Sequence, residues 1–482
     1  MQELTEKALE ICNKENASYA DIRVITILDE NITIKKGNIS TMNFSQVEGF
    51  GIRAIAEGGM GFAGSYDLSQ TEVEQVAKLA VKIARASGST RKNPIVFVDE
   101  APVTDSYTTS IKKDPFKIPS EEKLELLIEA DKQLMQHDPS LVKMTQANYR
   151  GHREEKIFAS TEGAFITQQI TFCGGGISCI AISPGSSPQV RSYPGSFRGD
   201  FGTKGYELLE GFNILENVKR TANEAIAVSE AKKCPKERTS IILGGHQLQL
   251  QIHESIGHPT ELDRVLGTEA AYAGTSFLTP DLLGNYKLGS EHVTITADST
   301  LSGGLGTFGY DDEGVKAKRV ELIKDGLFVG YQSSRETAAI LGLNNSSGGM
   351  RADNPQKLPL IRMVNINLEP SGWKKDEIIE DTKSGILMDT NKSWSIDDKR
   401  INFQFGTEIA WKIENGEIKH IVKDPTYSGI TPEFWNSMDA SSGDDWRLWG
   451  TSNCGKGQPS QIMYVGHGCG TARFQNVRIG II

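Results

Sequence analysis

The spacing of hydrophobic residues along the chain predicts helices and strands that follow one another in a regular order. Over 3–14, ELTEKALEICNK, apolar residues recur every three or four positions, which predicts an amphipathic helix. Four stretches between 21 and 67 alternate apolar and polar residues and predict short strands separated by Gly, Asn and Asp turns. Ser69, followed by Glu72, predicts the start of a second helix that runs to about residue 86.

The same order of elements recurs in the next part of the chain. Ser120 begins a helical pattern, three strand patterns follow over 141–150, 154–161 and 164–183, and a long helix is predicted over 206–233. Helix, strands and helix therefore occur twice, which indicates a duplicated α+β unit. The intervening 98–119 is rich in Pro, Thr and charged residues and is interpreted as a linker or an irregular crossing.

The pattern changes after Cys234-Pro235, where many short strand signals are separated by Gly, Asn and Asp. The clearest strand stretches are 292–298, 318–332, 359–370, 400–423 and 472–482. They predict a β-rich domain, an irregular barrel or sandwich, and so an α+β protein overall. The predicted units are an α+β N-terminal unit over 1–97, a linker over 98–119, a second α+β unit over 120–234 and a β-rich domain over 235–482.

Composition narrows the class of protein. A chain of 482 residues is too long for one hydrophobic core, so several domains are expected. The net charge of −10 argues against nucleic acid or an anionic membrane as the main partner, and no apolar run approaches the roughly 20 residues that span a bilayer. The N-terminus shows no secretory signal, and the six cysteines are scattered, which favours a reducing cytoplasm.

The stretch QIHESIGHPTELDR, residues 251–264, contains two histidines around a glutamate. Zinc-peptidase helices of the His-Glu-x-x-His type place their histidines four residues apart, but here His258 follows His253 by five. In a regular α-helix such positions lie about 140° apart, whereas a local π-helix would return both side chains to one face. Gly257 and Pro259 favour an irregular backbone at this point. A π-helix and a helix that simply ends at Pro259 both remain open.

A metal site of this kind needs a third ligand from elsewhere in the chain. Cys454 in GTSNCGKG and Cys469 in VGHGCG both fit, since each is predicted to lie in a Gly-rich turn. His467 and Cys469 form a rival ligand pair, and Cys454 is alternatively the nucleophile of a cysteine hydrolase. The two helix histidines are alternatively ordinary helix residues. The acidic YDDEG stretch is interpreted as a turn with surface charge rather than as a second cation site.

Several ordered motifs resemble the TldD branch of the TldD/PmbA metalloproteases. They extend over about 240–482 and comprise HESIGHPTELDR, GYDDEG, SSRETAAILG, RMVN, INFQFGTEIAWKIENGE and NCGKGQP. Over the first 230 residues the resemblance rests on element order. It implies a cytoplasmic peptidase with one zinc ion per chain that acts on unfolded or flexible peptides. It also implies a PmbA-type (TldE) partner subunit, with a homodimer as the alternative.

The resemblance also implies roles for individual residues. His253, His258 and Cys454 become the metal ligands, and Glu254 becomes the general base that takes a proton from a zinc-bound water. Two positions depart from the family pattern, because proline follows the second histidine and RMVN replaces a commoner Arg-Met-Thr-Asn. The alternative function is a non-catalytic peptide-binding or regulatory subunit of the same fold.

Three further residues are predicted to bind the peptide backbone because they lie in motif-bearing segments. They are Arg351, Arg362 and Asn365. A structural hydrogen-bonding role is the alternative for each.

Overall fold

The computed structural model describes residues 1–196 and 199–480. Its N-terminal half has the predicted order of helix, strands and helix, which occurs twice. The elements are α1 (Gln2–Lys14), β1 (Tyr19–Lys35), β2 (Asn38–Ala56), β3 (Gly59–Ser65), α2 (Gln70–Gly88), β4 (Thr104–Thr108), α3 (Ser120–His137), β5 (Val142–Ser160), β6 (Phe165–Ala181), β7 (Gln189–Tyr193), β8 (Asp200–Gly202), α4 (Glu207–Gly211) and α5 (Ile214–Glu230).

These strands form one eight-stranded sheet, in which both repeats take part. Its order is β3-β2-β1-β5-β6-β4, and β7 and β8 also pair with β6. Helices α1 and α2 pack on the strands of the first repeat around one hydrophobic cluster. Helices α3 and α5 pack on the strands of the second repeat around another. The duplicated α+β arrangement is confirmed, and the domain boundaries stay a prediction.

Two local predictions in this half were wrong. The strands are longer than expected, because the polar residues read as turns are paired on both sides. Glu30, for example, lies opposite Phe44 of β2 and Gly151 of β5, so β1 continues through it. The predicted long helix 206–233 is broken instead at Asn213, whose positive φ of 48° is incompatible with a continuous α-helix.

The second half consists of short strands and short helices. Its elements are β9 (Lys232–Lys233), β10 (Glu237–Leu243), α6 (Gly245–Ile252), α7 (Leu262–Val265), β11 (Ile295–Asp298), β12 (Arg319–Lys324), β13 (Leu327–Phe328), α8 (Arg335–Ile340), β14 (Met350–Arg351), β15 (Leu360–Ile361), β16 (Ile366–Leu368), α9 (Lys375–Glu380), β17 (Ser384–Ile396), β18 (Asn402–Glu414), β19 (Glu417–Lys423), β20 (Thr426–Ile430), α10 (Thr431–Asn436), β21 (Met438–Ser441), β22 (Arg447–Lys456), β23 (Gln461–Cys469) and β24 (Ala472–Ile479).

Five of these strands close into a barrel in the order β17-β10-β24-β20-β18, since β18 also pairs with β17. This confirms the β-rich C-terminal region, with a barrel rather than a sandwich. The last predicted strand, 472–482, ends at Ile479, and residues 481 and 482 lie outside the described part. Helix α6 follows β10 directly and contributes Leu248 and Ile252 to the largest hydrophobic core. Helix α6, which leads into the segment with His253 and His258, is therefore held by the barrel.

The acidic turn that was predicted to carry surface charge is buried instead, against the N-terminal sheet. Asp312 contacts Arg23 at 2.8 Å and Lys156 at 2.5 Å, and Glu313 contacts Arg53 at 2.7 Å. Because an unpaired buried charge is strongly unfavourable, these ion pairs couple the sheet to the C-terminal region.

Among the described residues, no helix has the length and apolar character needed to cross a membrane.

Candidate metal centre

The helix that carries both histidines changes its geometry between them. Helix α6 ends at Ile252 and continues as a π-helix over His253–Gly257, in which the His258 N–H donates to the His253 carbonyl five residues earlier. The wider turn returns the second imidazole to the face of the first, so that their ring centroids lie 4.8 Å apart. Of the two geometries left open by the sequence, the structure has the π-helix.

Glycine at the end of this π-helix leaves room for a neighbouring side chain. A Cβ on Gly257 would lie 2.2 Å from the sulfur of Met363, well inside van der Waals contact. The irregular turn is therefore pressed against a neighbouring buried side chain.

Three side chains converge beside the π-helix. The ligand atoms of His253, His258 and Cys454 all lie within 4.8 Å of one another, and the three residues are buried. The Cys454 sulfur is 3.9 Å from His258 Nε2. Two imidazoles and a thiolate form a donor set that suits zinc and leaves a fourth position open.

The backbone that presents the cysteine is a strand, so the predicted Gly-rich turn was wrong. Cys454 lies in β22, where the pairing with β23 shifts register between Thr451 and Cys454. Cys469 lies at the end of β23, and its sulfur donates to the Gly245 carbonyl rather than facing the two histidines. The structure thus brings Cys454, and not Cys469, to the histidine pair.

Hydrogen bonds on the far side of each imidazole orient the two histidines. His258 Nδ1 lies 2.9 Å from Glu261 Oε2, and His253 Nδ1 lies 3.1 Å from His467 Nε2. With a proton on each Nδ1, both histidines keep an Nε2 lone pair for a ligand. Carboxylate and imidazole partners of this kind fix the orientation of metal-binding histidines. His467 thus contacts a candidate ligand, and it does not join the three-residue cluster.

Burial and nearby charge favour the protonation states that metal ligands need. Burial lowers the pKa of His253, and it lowers the pKa of His258 well below the ordinary value, so both stay neutral at pH 7. Burial by itself raises the pKa of the Cys454 thiol, but Arg362 and then His258 oppose it, and the net pKa is lowered. A thiolate is therefore easier to form here than at an ordinary buried cysteine.

Glu254 lies in a cleft of about 560 Å³ beside the three candidate ligands. One oxygen of its carboxylate, Oε2, accepts a hydrogen bond of 2.6 Å from Arg400 Nη1. The residues that line this cleft include His253, Glu254, His258, Trp394, Arg400 and Cys454. The cleft thus brings a carboxylate, a cation and a potential metal site together.

The three residues predicted to bind peptide do not line this cleft. Arg351 donates to the carbonyl groups of Tyr464 and Met363, and Arg362 donates to the carbonyl of Cys454. Asn365 is fully buried, and its amide bonds to the end of β11 and to residues 306 and 307, through both its nitrogen and its oxygen. These contacts match the structural alternative, and the substrate-binding role stays a prediction.

Several residues around the site were not predicted from the sequence. Glu261 follows His258 by three residues, a spacing that places two side chains on one face of a helical turn and was a usable signal. Lys456 follows Cys454 by two residues and lies 3.3 Å from Glu261. Arg400 comes from the hairpin between β17 and β18, and nothing in its local sequence indicates that it faces the cleft.

Sequence models of one family match nearly the whole chain. Domain 1 of the PmbA/TldA metallopeptidases matches residues 20–84, the central domain matches 113–229, and the C-terminal domain matches 236–481. The chain belongs to this metallopeptidase family. The resemblance seen in the sequence motifs is confirmed.

Two relatives agree with this assignment, and one solved structure shares the fold. A metalloprotease of Methanocaldococcus jannaschii is 31% identical over 467 residues, which are 97% of this chain and 97% of that protein. A zinc metalloprotease TldD homolog of Saccharolobus solfataricus is 24% identical over 473 residues, 96% of this chain and 97% of that protein. The structure of TldE from Thermococcus kodakarensis matches with a TM-score of 0.71 at 18% identity, over 99% of this chain and all of that chain, which shows a shared fold.

Proposed function

We propose that this chain is a zinc-dependent peptidase that hydrolyses unfolded or flexible peptides, with Glu254 as its general base. The observation that carries the proposal is the buried cluster of His253, His258 and Cys454 in the wall of the cleft that holds Glu254. Membership of a metallopeptidase family supports it, and so does the name zinc metalloprotease of one relative.

The protein groups around the cleft have the chemistry that peptide hydrolysis needs. A zinc ion bound by the three donors would supply Lewis acidity and a water of lowered pKa. Glu254 has one carboxylate oxygen held by Arg400, and its other oxygen, Oε1, would accept a proton and pass it to the leaving amine. A cleft of about 560 Å³ suits a short extended segment rather than a folded domain, which supports flexible peptides as substrates.

The proposal extends to partners and to location. We propose that the chain acts in the cytoplasm with a TldE-like subunit, or as a homodimer, and that it binds neither nucleic acid nor a membrane. The shared fold with a TldE supports a pairing of like-shaped subunits, and the net charge of −10 is unfavourable for polyanionic partners. Co-purification of the two subunits and the mass of the resulting particle would distinguish a heterodimer from a homodimer.

The experiment combines a metal count with a peptidase assay. Wild-type protein should hold about one zinc ion per chain and cleave an unstructured peptide. Glu254→Gln should keep its zinc and lose about 10²- to 10⁴-fold in kcat, the usual contribution of a general base. Cys454→Ser should lose zinc affinity, while Glu291→Gln, an exposed carboxylate change, should behave as wild type.

Three outcomes would count against this function. Full activity of Glu254→Gln would exclude that residue as the base. Hydrolysis that persists in metal-free protein and is lost on alkylation would favour Cys454 as a nucleophile. Tight binding of the peptide without cleavage, by zinc-loaded protein with its partner present, would favour the non-catalytic peptide-binding subunit.

A further inference from the structure

We infer that Arg400 is a positioning residue, which fixes the carboxylate of Glu254 in the cleft and leaves one of its oxygens available for proton transfer. The inference rests on the proposed function for its kinetic consequences, and on geometry alone for the placement of the carboxylate. No motif in the sequence pointed to this arginine.

The contact between the two side chains is short and shielded. Arg400 Nη1 donates to Glu254 Oε2 at 2.6 Å, and the two side chains are 12% and 8% exposed. At such exposure the ion pair is little screened by salt, and it is stronger than a surface pair. Because Arg400 holds Oε2 in an ion pair, protonation of that oxygen is disfavoured, and Oε1 is the oxygen better placed to receive a proton.

The backbone of Arg400 is fixed in a conformation that arginine rarely adopts. Its φ is +66°, in the left-handed region that costs a non-glycine residue free energy. The surrounding structure keeps it there through bonds on both sides. The Arg400 N–H donates to the Asp397 carbonyl, and the Arg400 carbonyl accepts from the Thr431 hydroxyl at 2.7 Å.

The rest of the turn is anchored in the same way, to segments outside the hairpin. The carbonyl groups of Asp398 and Lys399 accept the N–H groups of Thr275 and Phe277. A turn held at successive residues delivers the arginine side chain to one place. This is the rigidity that a positioned catalytic group requires from its support.

Arg400 also keeps a buried polar atom beside this contact. Among the residues that the structure describes, none accepts a hydrogen bond from its Nε.

The experiment compares Arg400→Met with wild type in crystal structures and in kinetics. Without the arginine, the Glu254 carboxylate should leave its wild-type position. The zinc count should not change, kcat should fall by about 10²-fold as expected for a misplaced catalytic group, and KM should change little. Guanidinium added to Arg400→Met should restore part of kcat, and Arg400→Lys should be intermediate. Lys399→Met, which removes an exposed cation from the same turn, is the matched control.

Each outcome decides the inference. A Glu254 carboxylate that stays in place in Arg400→Met overturns it, whether or not the wild type cleaves peptides. Loss of zinc from this variant, or a loss of activity that guanidinium does not relieve, also overturns it, because the arginine would then support the fold or the ligands. A displaced carboxylate in a wild-type protein that lacks peptidase activity supports the positioning role and refutes the proposed function.

Discussion

Replacing Glu261 by glutamine should weaken zinc binding without removing a ligand. Glu261 Oε2 lies 2.9 Å from His258 Nδ1, and the same carboxylate lies 3.3 Å from the Lys456 ammonium and 3.8 Å from Arg264. The charged oxygen accepts the imidazole N–H and so keeps His258 Nε2 free and oriented. A glutamine of the same shape loses the negative charge, so the imidazole becomes less basic and less firmly held.

The expected magnitude follows from the nature of this contact. Losing an outer partner of a metal-binding histidine typically costs 10- to 100-fold in metal affinity, which corresponds to about 1.4–2.7 kcal/mol. Competition between the protein and a chromogenic chelator for zinc, at fixed pH, would measure the change in Kd directly.

A neighbouring carboxylate provides the control. Glu269 belongs to the same buried ionic group, because its Oε2 contacts Arg264 at 2.7 Å and its Oε1 accepts the Gly457 N–H. Glu269→Gln should therefore perturb the fold in a similar way while leaving zinc affinity close to wild type. Two results would contradict the role of Glu261 in orienting His258. Glu261→Gln would bind zinc as tightly as wild type, or Glu261→Gln and Glu269→Gln would weaken zinc binding by the same factor.

Two further predictions concern stability. Burial, with two nearby arginines, lowers the pKa of His246 to about 3, so the unfolded chain protonates this residue below its ordinary pKa of about 6.5 while the folded chain does not. Between about pH 6.5 and pH 5 the free energy of unfolding of the wild type, measured with urea, should fall by about 2 kcal/mol more than that of His246→Gln. The exposed His420→Gln is the control and should follow the wild type. Equal pH slopes for all three proteins would refute the assignment. Gly257→Ala should lower the free energy of unfolding by about 1–3 kcal/mol, because the new methyl group overpacks against Met363. Adding Met363→Ala should make the double variant less destabilised than the sum of the two single variants. Strict additivity of the two effects would contradict the clash.

The sequence predicted those elements whose pattern is local. The helices of the N-terminal repeats, the many strands of the C-terminal half and the order of elements all follow from hydrophobic spacing and turn residues, because each depends on neighbours within a few positions. The exact points at which strands and helices end were harder to predict. Glu30 continues a strand because residues on two other strands pair beside it, and Asn213 interrupts a helix that its apolar pattern favoured.

The features of the candidate site also fall into those that the sequence determined and those that it did not. The sequence by itself determined the chemical types present, two histidines and a glutamate within six residues and a cysteine in a glycine-rich stretch, and the family motifs narrowed the choice of cysteine. Only the tertiary structure decided that the helix widens between His253 and His258, that Cys454 arrives on a strand, and that Arg400 reaches Glu254 from 146 residues away. The physical reason is distance along the chain, since a side chain's partners across the fold are set by how sheets and hairpins pack and leave no periodic signal in the residues around it.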